Sequence, residues 1–149
     1  MIDRLPVTKA VAAMLAAASG KPVGRGSIPL GVEPPYYLLV AISTTLSGPP
    51  LADENPDMSV VYQVTAVTGP AASTPGSYAV ADQAEWMADK ARAVLLGRDP
   101  ATGQWLHPLT IPGARVYARG LDTEPGGSTD TSDAIINNVQ RFRFDLTPA

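Results

Sequence analysis

The pattern that decides the fold lies at residues 58–68, which read MSVVYQVTAVT. Alternate positions bring four apolar side chains to one face of a strand, namely Val60, Tyr62, Val64 and Ala66. An alternation with period two, rich in β-branched residues, is typical of a half-buried strand. The stretch therefore predicts a strand with one face in the core.

The preceding apolar run lies at residues 36–43, reads YYLLVAIS and is apolar on both alternating faces. Such a run predicts a strand that is covered on two sides, either by the protein's own helices or by a neighbouring subunit. A turn-rich acidic segment, Leu46–Pro56, separates this run from residues 58–68. Together the three stretches predict an extended β-hairpin.

Apolar positions spaced about 3.6 residues apart predict two helices. The first has one stripe, formed by Val7, Val11, Met14, Leu15 and Ala18. Asp3 is placed to cap this helix and Gly20 to end it. The second helix is predicted from about Tyr78 to Leu96, with an apolar face formed by Val80, Ala84, Met87, Ala88, Ala91, Val94 and Leu95.

Two more strands are predicted after the second helix. The first, Ala114–Leu121, alternates so that one face receives Arg115, Tyr117 and Arg119. The second, Ile135–Leu146, has an apolar face of Phe142, Phe144 and Leu146 and a polar face with Arg141 and Arg143. The acidic segment between them, residues 121–133, is predicted to be a polar loop.

The predicted order of elements is α-β-β-α-β-β. Two hairpins packed on two helices give an α+β fold with a mainly antiparallel sheet. The chain has 149 residues, which is the size of one domain, so we expect a single domain over residues 1–149. The glycine-rich residues 20–35 are predicted to be a linker, because they lead into a strand and not into the helix that a phosphate-binding loop requires.

The composition excludes several classes of site. The chain has no cysteine and one histidine, which removes disulfides, thiol nucleophiles and sites that need two imidazoles. A net charge of −3 argues against binding to nucleic acid through counterion release. No apolar run reaches the ~18 residues of a membrane helix. Because Asp3 and Arg4 precede the first helix, its start is unlike a signal peptide, and we expect a product of the cytoplasm without a membrane partner.

The candidate catalytic groups lack supporting residues. His107 has no nucleophile motif, so we expect an ordinary loop histidine in preference to a lone general base. The acid pairs are Asp53 with Glu54 and Asp130 with Asp133. Both pairs lie in loop-like segments, where solvent gives a carboxylate none of the altered acidity that acid–base catalysis needs. The acids after Leu121 do not have the spacing of a calcium-binding loop. We therefore predict no catalytic residue, no metal and no cofactor.

Charges are segregated along the chain. Residues 26–89 carry seven acids and no Lys or Arg, so all 11 basic residues lie outside that range. Opposite charges on two surfaces of one chain favour head-to-tail contacts that close into a ring, while the alternative is a solvated sheet face. The candidate contacts between subunits are Trp86, Arg115, Arg119, Arg141 and Arg143. For Trp86, on the polar flank of its helix, the alternative is cover by a loop such as the one with Trp105.

Three stretches, YQVTAV at 62–67, QAEWMADKAR at 83–92 and QRFRF at 140–144, carry a resemblance to a known family. They are similar to the tail terminator proteins of long-tailed, siphovirus-type phages of actinobacteria. The opening helix followed by a Pro-Tyr strand is also similar. The resemblance spans most of the chain, and its motifs are short and structural. The loops at residues 20–35 and 69–76 carry no such similarity.

The resemblance implies a structural virion protein with no enzymatic activity. Tail terminators form a hexameric ring on the head-proximal end of the tail tube, end its polymerisation and join it to the neck and capsid. The implied partners are copies of the chain itself, the tail tube protein, a neck or head-completion protein and double-stranded DNA, which passes through the lumen without sequence-specific binding. The implied location is the tail–neck junction. The candidate lumen or neighbour residues are Asp53, Glu54, Asp57, Asp122, Glu124, Asp130 and Asp133.

Two alternatives remain open at this point. A head–tail joining, or neck completion, protein would bind the portal side and not the tube. A small hydrolase or transferase would depend on His107 or on paired acids, and a His107→Ala variant that lost an activity would favour it.

Overall fold

The computed structural model describes residues 1–27, 31–47, 56–70, 81–130 and 135–149. The helices in these ranges are α1 (Arg4–Ser19) and α2 (Ala81–Leu96). The strands are β1 (Val23–Arg25), β2 (Tyr36–Ser47), β3 (Asp57–Thr68), β4 (Ala114–Asp130) and β5 (Ile135–Pro148). The predicted α+β class is confirmed, and β1 is an additional short strand.

All five strands form one sheet in the order β1-β2-β3-β5-β4. β1 runs parallel to β2, and every other neighbouring pair is antiparallel. The two predicted hairpins are β2–β3 and β4–β5, and the pairing of β3 with β5 joins them. Tyr62 of β3 lies opposite Ala41 on one side and Phe142 on the other. β3 is therefore an interior strand of the sheet.

α1 has the predicted apolar stripe. Val7, Val11 and Leu15 are completely buried. The helix ends before Gly20, whose φ of 71° lies in the left-handed region that glycine adopts readily. Asp3 occupies the N-cap position without a side-chain capping hydrogen bond, so the expected cap is wrong in that respect.

α2 buries the predicted face and exposes its acidic one. The buried residues are Ala84, Met87, Ala88, Ala91, Val94 and Leu95. Three alanines in this set let the helix approach the sheet closely. The expected start at Tyr78 and the face position Val80 lie outside the described residues.

Both helices pack on the same face of the sheet, which we call the inner sheet face. Thr8 of α1 shares a hydrogen bond of 2.8 Å with the hydroxyl of Tyr62. The Tyr37 hydroxyl donates to the carbonyl oxygen of Met87 in α2 at 2.6 Å. The Tyr62 ring meets that of Phe144 edge to face, with centroids 5.8 Å apart. Burial raises the pKa of both Tyr37 and Tyr62.

The expected polar loop at residues 121–133 is wrong over most of its length, because β4 continues to Asp130. Pairing with β5 overrides the low strand propensity of these residues, since it satisfies their backbone groups. The strand is irregular, with register shifts between Val116 and Ala118 and twice more before Gly126. A Cβ at Gly127 would lie 2.8 Å from the Asn137 carbonyl oxygen, so this close pairing requires glycine.

The expected linker at residues 20–35 contains β1. Val23, Gly24 and Arg25 pair in parallel with Tyr37, Leu38 and Leu39. A strand of three residues is too short to produce a periodic pattern, so the sequence carried no signal for it.

Candidate subunit interface

The side of the sheet that faces away from the helices is the outer sheet face. Its side chains alternate with those of the inner sheet face along each strand. Its members are Leu38, Val40, Val61, Gln63, Thr65, Val139, Arg141, Arg143, Asp145 and Arg115. Because α1 and α2 both lie on the inner side, no helix in the described ranges covers the outer sheet face. The two described helices thus cover only one of the two apolar faces of β2.

β2 leaves large apolar side chains in solvent. Val40, Ile42 and Leu46 are 43%, 44% and 51% exposed. Ile42 sits at a bulge, where the register with β3 shifts. Beyond Leu39, β2 has a strand partner on one side only within the described residues. Exposed apolar side chains beside an unpaired strand edge are typical of a protein–protein contact.

Two of the predicted contact arginines lie on the outer sheet face as expected. Arg141 Nε donates to Gln63 Oε1 at 3.4 Å. Arg143 Nε donates to Asp145 Oδ1 at 2.9 Å, and this bond raises the pKa of Arg143. Both guanidinium groups keep further N–H donors that no described residue occupies.

Arg115 and Arg119 do not share a face, which corrects the prediction for β4. Val116 pairs with Leu146 and Ala118 with Asp145, so the bulge at the residue between them reverses the alternation. Arg115 remains exposed on the outer side, whereas Arg119 lies opposite the buried Phe144 on the inner side.

Arg119 joins β4 to the end of α2. Its guanidinium donates to the carbonyl oxygens of Leu95 at 3.2 Å and His107 at 2.9 Å. The Trp105 ring lies 4.7 Å from its guanidinium carbon, and the guanidinium carbon of Arg98 lies 4.0 Å from the same ring. Burial, followed by repulsion from Arg98, lowers the pKa of Arg119 to about 10. These contacts give Arg119 an internal bracing role, and its part in a subunit contact stays a prediction.

Trp86 is not covered by the segment that contains Trp105. Its side chain is 50% exposed on α2. The ammonium nitrogen of Lys21 lies 5.8 Å from the ring centroid, and Trp105 is engaged by Arg98 and Arg119 instead. An aromatic side chain half in solvent remains suited to a contact between proteins.

The predicted lumen acids are scattered. Asp53, Glu54 and Asp133 lie outside the described residues. Asp57 begins β3, and the backbone of Asp130 ends β4. Asp122 is exposed on β4. Glu124 accepts a hydrogen bond of 2.8 Å from Gln140 Nε2 and lies 3.7 Å from Arg92, so internal partners hold it.

No catalytic or metal-binding constellation forms in the part of the chain that the structure describes. His107 is half-buried beside Met14, Ala18 and Pro108, away from any paired nucleophile. No three His, Asp or Glu residues in the described ranges come together in a way that could hold a metal ion. Neither described helix has the length and apolar character needed to cross a membrane.

Comparison with known proteins shows a shared fold and nothing further. No family model matches the chain, and no curated protein matches it. Among solved structures, the chain is similar to one from the virion of a native gene transfer agent particle. The TM-score is 0.61 at 14% sequence identity, and the match covers 95% of this chain and 94% of that chain. The two chains share a fold over nearly their whole lengths.

Proposed function

We propose that this protein is a structural component of a phage-like virion and acts as a tail terminator. Copies of the chain, six by this proposal, form a ring at the head-proximal end of the tail tube. The observation that carries the proposal is the sheet whose outer face, apolar and basic, lacks a helix in the described residues. The end-to-end likeness in fold to a gene transfer agent virion chain supports the placement in a virion.

The proposed work is done by surfaces and involves no bond-making or bond-breaking. One rim of the ring binds the last layer of tail tube protein and blocks further addition. The other rim binds the neck or head-completion protein, which places the chain at the tail–neck junction. The exposed apolar residues of β2 and the exposed Trp86 are the side chains that would gain most from burial when copies of the chain join in the ring.

DNA in transit would pass through the lumen of the ring without being bound. Acidic side chains at the lumen would repel the phosphate backbone and remove the counterion-release attraction that makes proteins adhere to DNA. Asp57 and Asp122 are the described acids that remain candidates for this position. Asp53, Glu54, Asp130 and Asp133 are proposed alongside them from the sequence.

A tube-polymerisation assay tests the proposal. Purified full-length protein is added to polymerising tail tube protein, and tube lengths are measured by negative-stain electron microscopy. We expect shorter tubes with a ring at one end, and shortening that increases with the amount of protein added. A Lys9→Ala variant, changed at an exposed position on α1, should act like the wild type. Tubes of unchanged length without terminal rings would contradict the terminator role.

The neck completion alternative gives a different result in the same experiment. A neck protein would leave tube length unchanged and would bind the portal side of a capsid. The solved chain with a similar fold comes from a whole virion, so the likeness does not favour the tail terminator over the neck completion protein. The tube assay therefore separates two roles that share a location in the particle.

A further inference from the structure

We infer that the outer sheet face of one copy binds the acidic face of α2 of the next copy, with Arg141 and Arg143 opposite Asp82 and Glu85. The inference rests on the proposed ring, and it specifies which surfaces meet there. It therefore identifies the occupant of the uncovered sheet face as a second copy of this chain.

The two surfaces lie on opposite sides of the molecule. α2 buries Ala84, Met87 and Ala91 against the sheet, and the exposed Asp82 and Glu85 lie on the side of the helix that faces away from it. The outer sheet face points in the contrary direction, because both helices lie on the inner face. One copy cannot bring these two surfaces of its own together. Joining them requires a head-to-tail contact between copies, which generates a ring when the rotation closes.

Both surfaces have charges that are not neutralised within the described part of the chain. On α2, Asp89 pairs with Arg92 at 2.7 Å, while the exposed Asp82 and Glu85 have no ion pair. On the sheet, Arg141 contacts only the neutral Gln63. Arg143 is paired with Asp145 at 2.9 Å, but its side chain is still 55% exposed. Opposite charges left over on two faces are complementary across a contact and set its register.

The spacing of the charges matches. Two residues along β5 separate Arg141 from Arg143, a rise of about 7 Å. Three residues along α2 separate Asp82 from Glu85, a rise of about 5 Å. The side chains of Arg and Glu are long enough to absorb the difference, and Arg can bind a carboxylate with two parallel hydrogen bonds.

Apolar side chains accompany the charges on both surfaces. Trp86 follows Glu85 on α2 and is 50% exposed. On the sheet, Val40 is 43% exposed and lies across from Gln63, the partner of Arg141. A half-exposed Trp surrounded by polar groups is the kind of residue that dominates binding energy once it is buried. The contact thus combines an aromatic anchor with a charged rim.

A charge-exchange experiment tests the inference on the full-length protein. Self-association is measured by sedimentation velocity, and particles are imaged by electron microscopy. We expect Arg141→Glu/Arg143→Glu to weaken association by about tenfold or more, and Asp82→Arg/Glu85→Arg to do the same, because each puts like charges in contact. Combining all four changes should restore association to within about threefold of the wild type.

Control variants separate this contact from general charge effects. Lys9→Glu changes the net charge as much as Arg141→Glu does, but on the exposed surface of α1, and should leave association unchanged. The neutral pair Arg141→Gln/Arg143→Gln should give a smaller loss than the Glu pair, and circular dichroism confirms that each variant is folded. If both charge-reversed variants form rings as the wild type does, the inference is wrong and the tail terminator role still stands. A wild type that neither self-associates nor shortens tubes would overturn both.

Discussion

The two faces of the sheet differ in composition and burial although they are made from the same strands. The inner sheet face is lined by Tyr37, Tyr62, Phe142 and Phe144, all completely buried under the helices. The outer sheet face alternates with it residue by residue and holds valines, threonine and arginines with no helix over them in the described ranges. The inner face accounts for the stability of one copy. The outer face still carries apolar surface after folding, and this surplus is what assembly can use.

The largest expected effect comes from opening the inner face. Phe142→Ala removes a fully buried aromatic side chain and should lower the free energy of unfolding by about 3–5 kcal/mol. Its sequence neighbour Arg141 lies on the outer sheet face, and Arg141→Ala should change stability by no more than about 0.5 kcal/mol. Urea unfolding of dilute protein measures both. Equal losses would show that the two faces contribute alike to the stability of one copy.

The next effect concerns the two arginines that the β4 bulge separates. Arg119→Ala removes hydrogen bonds to the carbonyl oxygens of Leu95 and His107 together with the Trp105 contact. We expect a loss of about 1–2 kcal/mol. Arg115→Ala, on the outer side of the same strand, should cost less than about 0.5 kcal/mol. Thermal denaturation compares the two, and a larger effect at Arg115 would contradict the assignment of Arg119 to the inner side.

Alkaline pH should weaken the inner face through its tyrosines. Burial raises the pKa of Tyr62 above the ordinary value of 10.0. The unfolded chain therefore releases this proton first, so stability from Tyr62 is present below about pH 10 and falls above it, by at most about 1.4 kcal/mol per pH unit. Tyr62→Phe should lose less stability than the wild type between pH 10 and 11. Tyr117→Phe, at a side chain that is 56% exposed, is the matched control. If the free energy of unfolding of Tyr62→Phe falls with pH as steeply as that of the wild type, this prediction is wrong.

The smallest effect is expected at the exposed part of β2. Val40→Thr keeps the β-branched shape but makes the side chain polar, so it should leave the stability of one copy nearly unchanged. It should weaken self-association by about threefold, because Val40 is 43% exposed in one copy and the proposed contact would bury it. Sedimentation equilibrium checks this against Lys9→Ala as control. Association as tight as that of the wild type would remove Val40 from the contact.

Elements with a long, uniform pattern could be predicted from the sequence. β3, β5 and both helices each place apolar residues at one fixed period over three or more repeats, and the structure confirms their buried faces. β1 has three residues, too few for any period. The continuation of β4 past Leu121 depends on pairing with β5, which no local propensity of the segment 121–130 reveals.

Which sheet face holds each candidate contact residue could be predicted from the sequence only in part. Arg141 and Arg143 were placed correctly because β5 is regular where they occur. Arg119 was misplaced because one bulged residue reverses every later side chain of a strand, and bulges have no reliable sequence signature. In the described ranges no helix covers the outer sheet face, because both helices pack on the inner one. This packing is a property of the tertiary structure and has no local sequence signal.

Crosslinking between copies tests the central claim most directly, since the chain contains no cysteine of its own. Glu85→Cys on α2 and Arg141→Cys on the outer sheet face are combined in one chain and treated with a short bis-maleimide. We predict a ladder of covalent oligomers that ends at a closed ring, with each single-cysteine variant giving dimers at most. A double variant that reacts like the two single ones would show that these faces do not meet in the assembly.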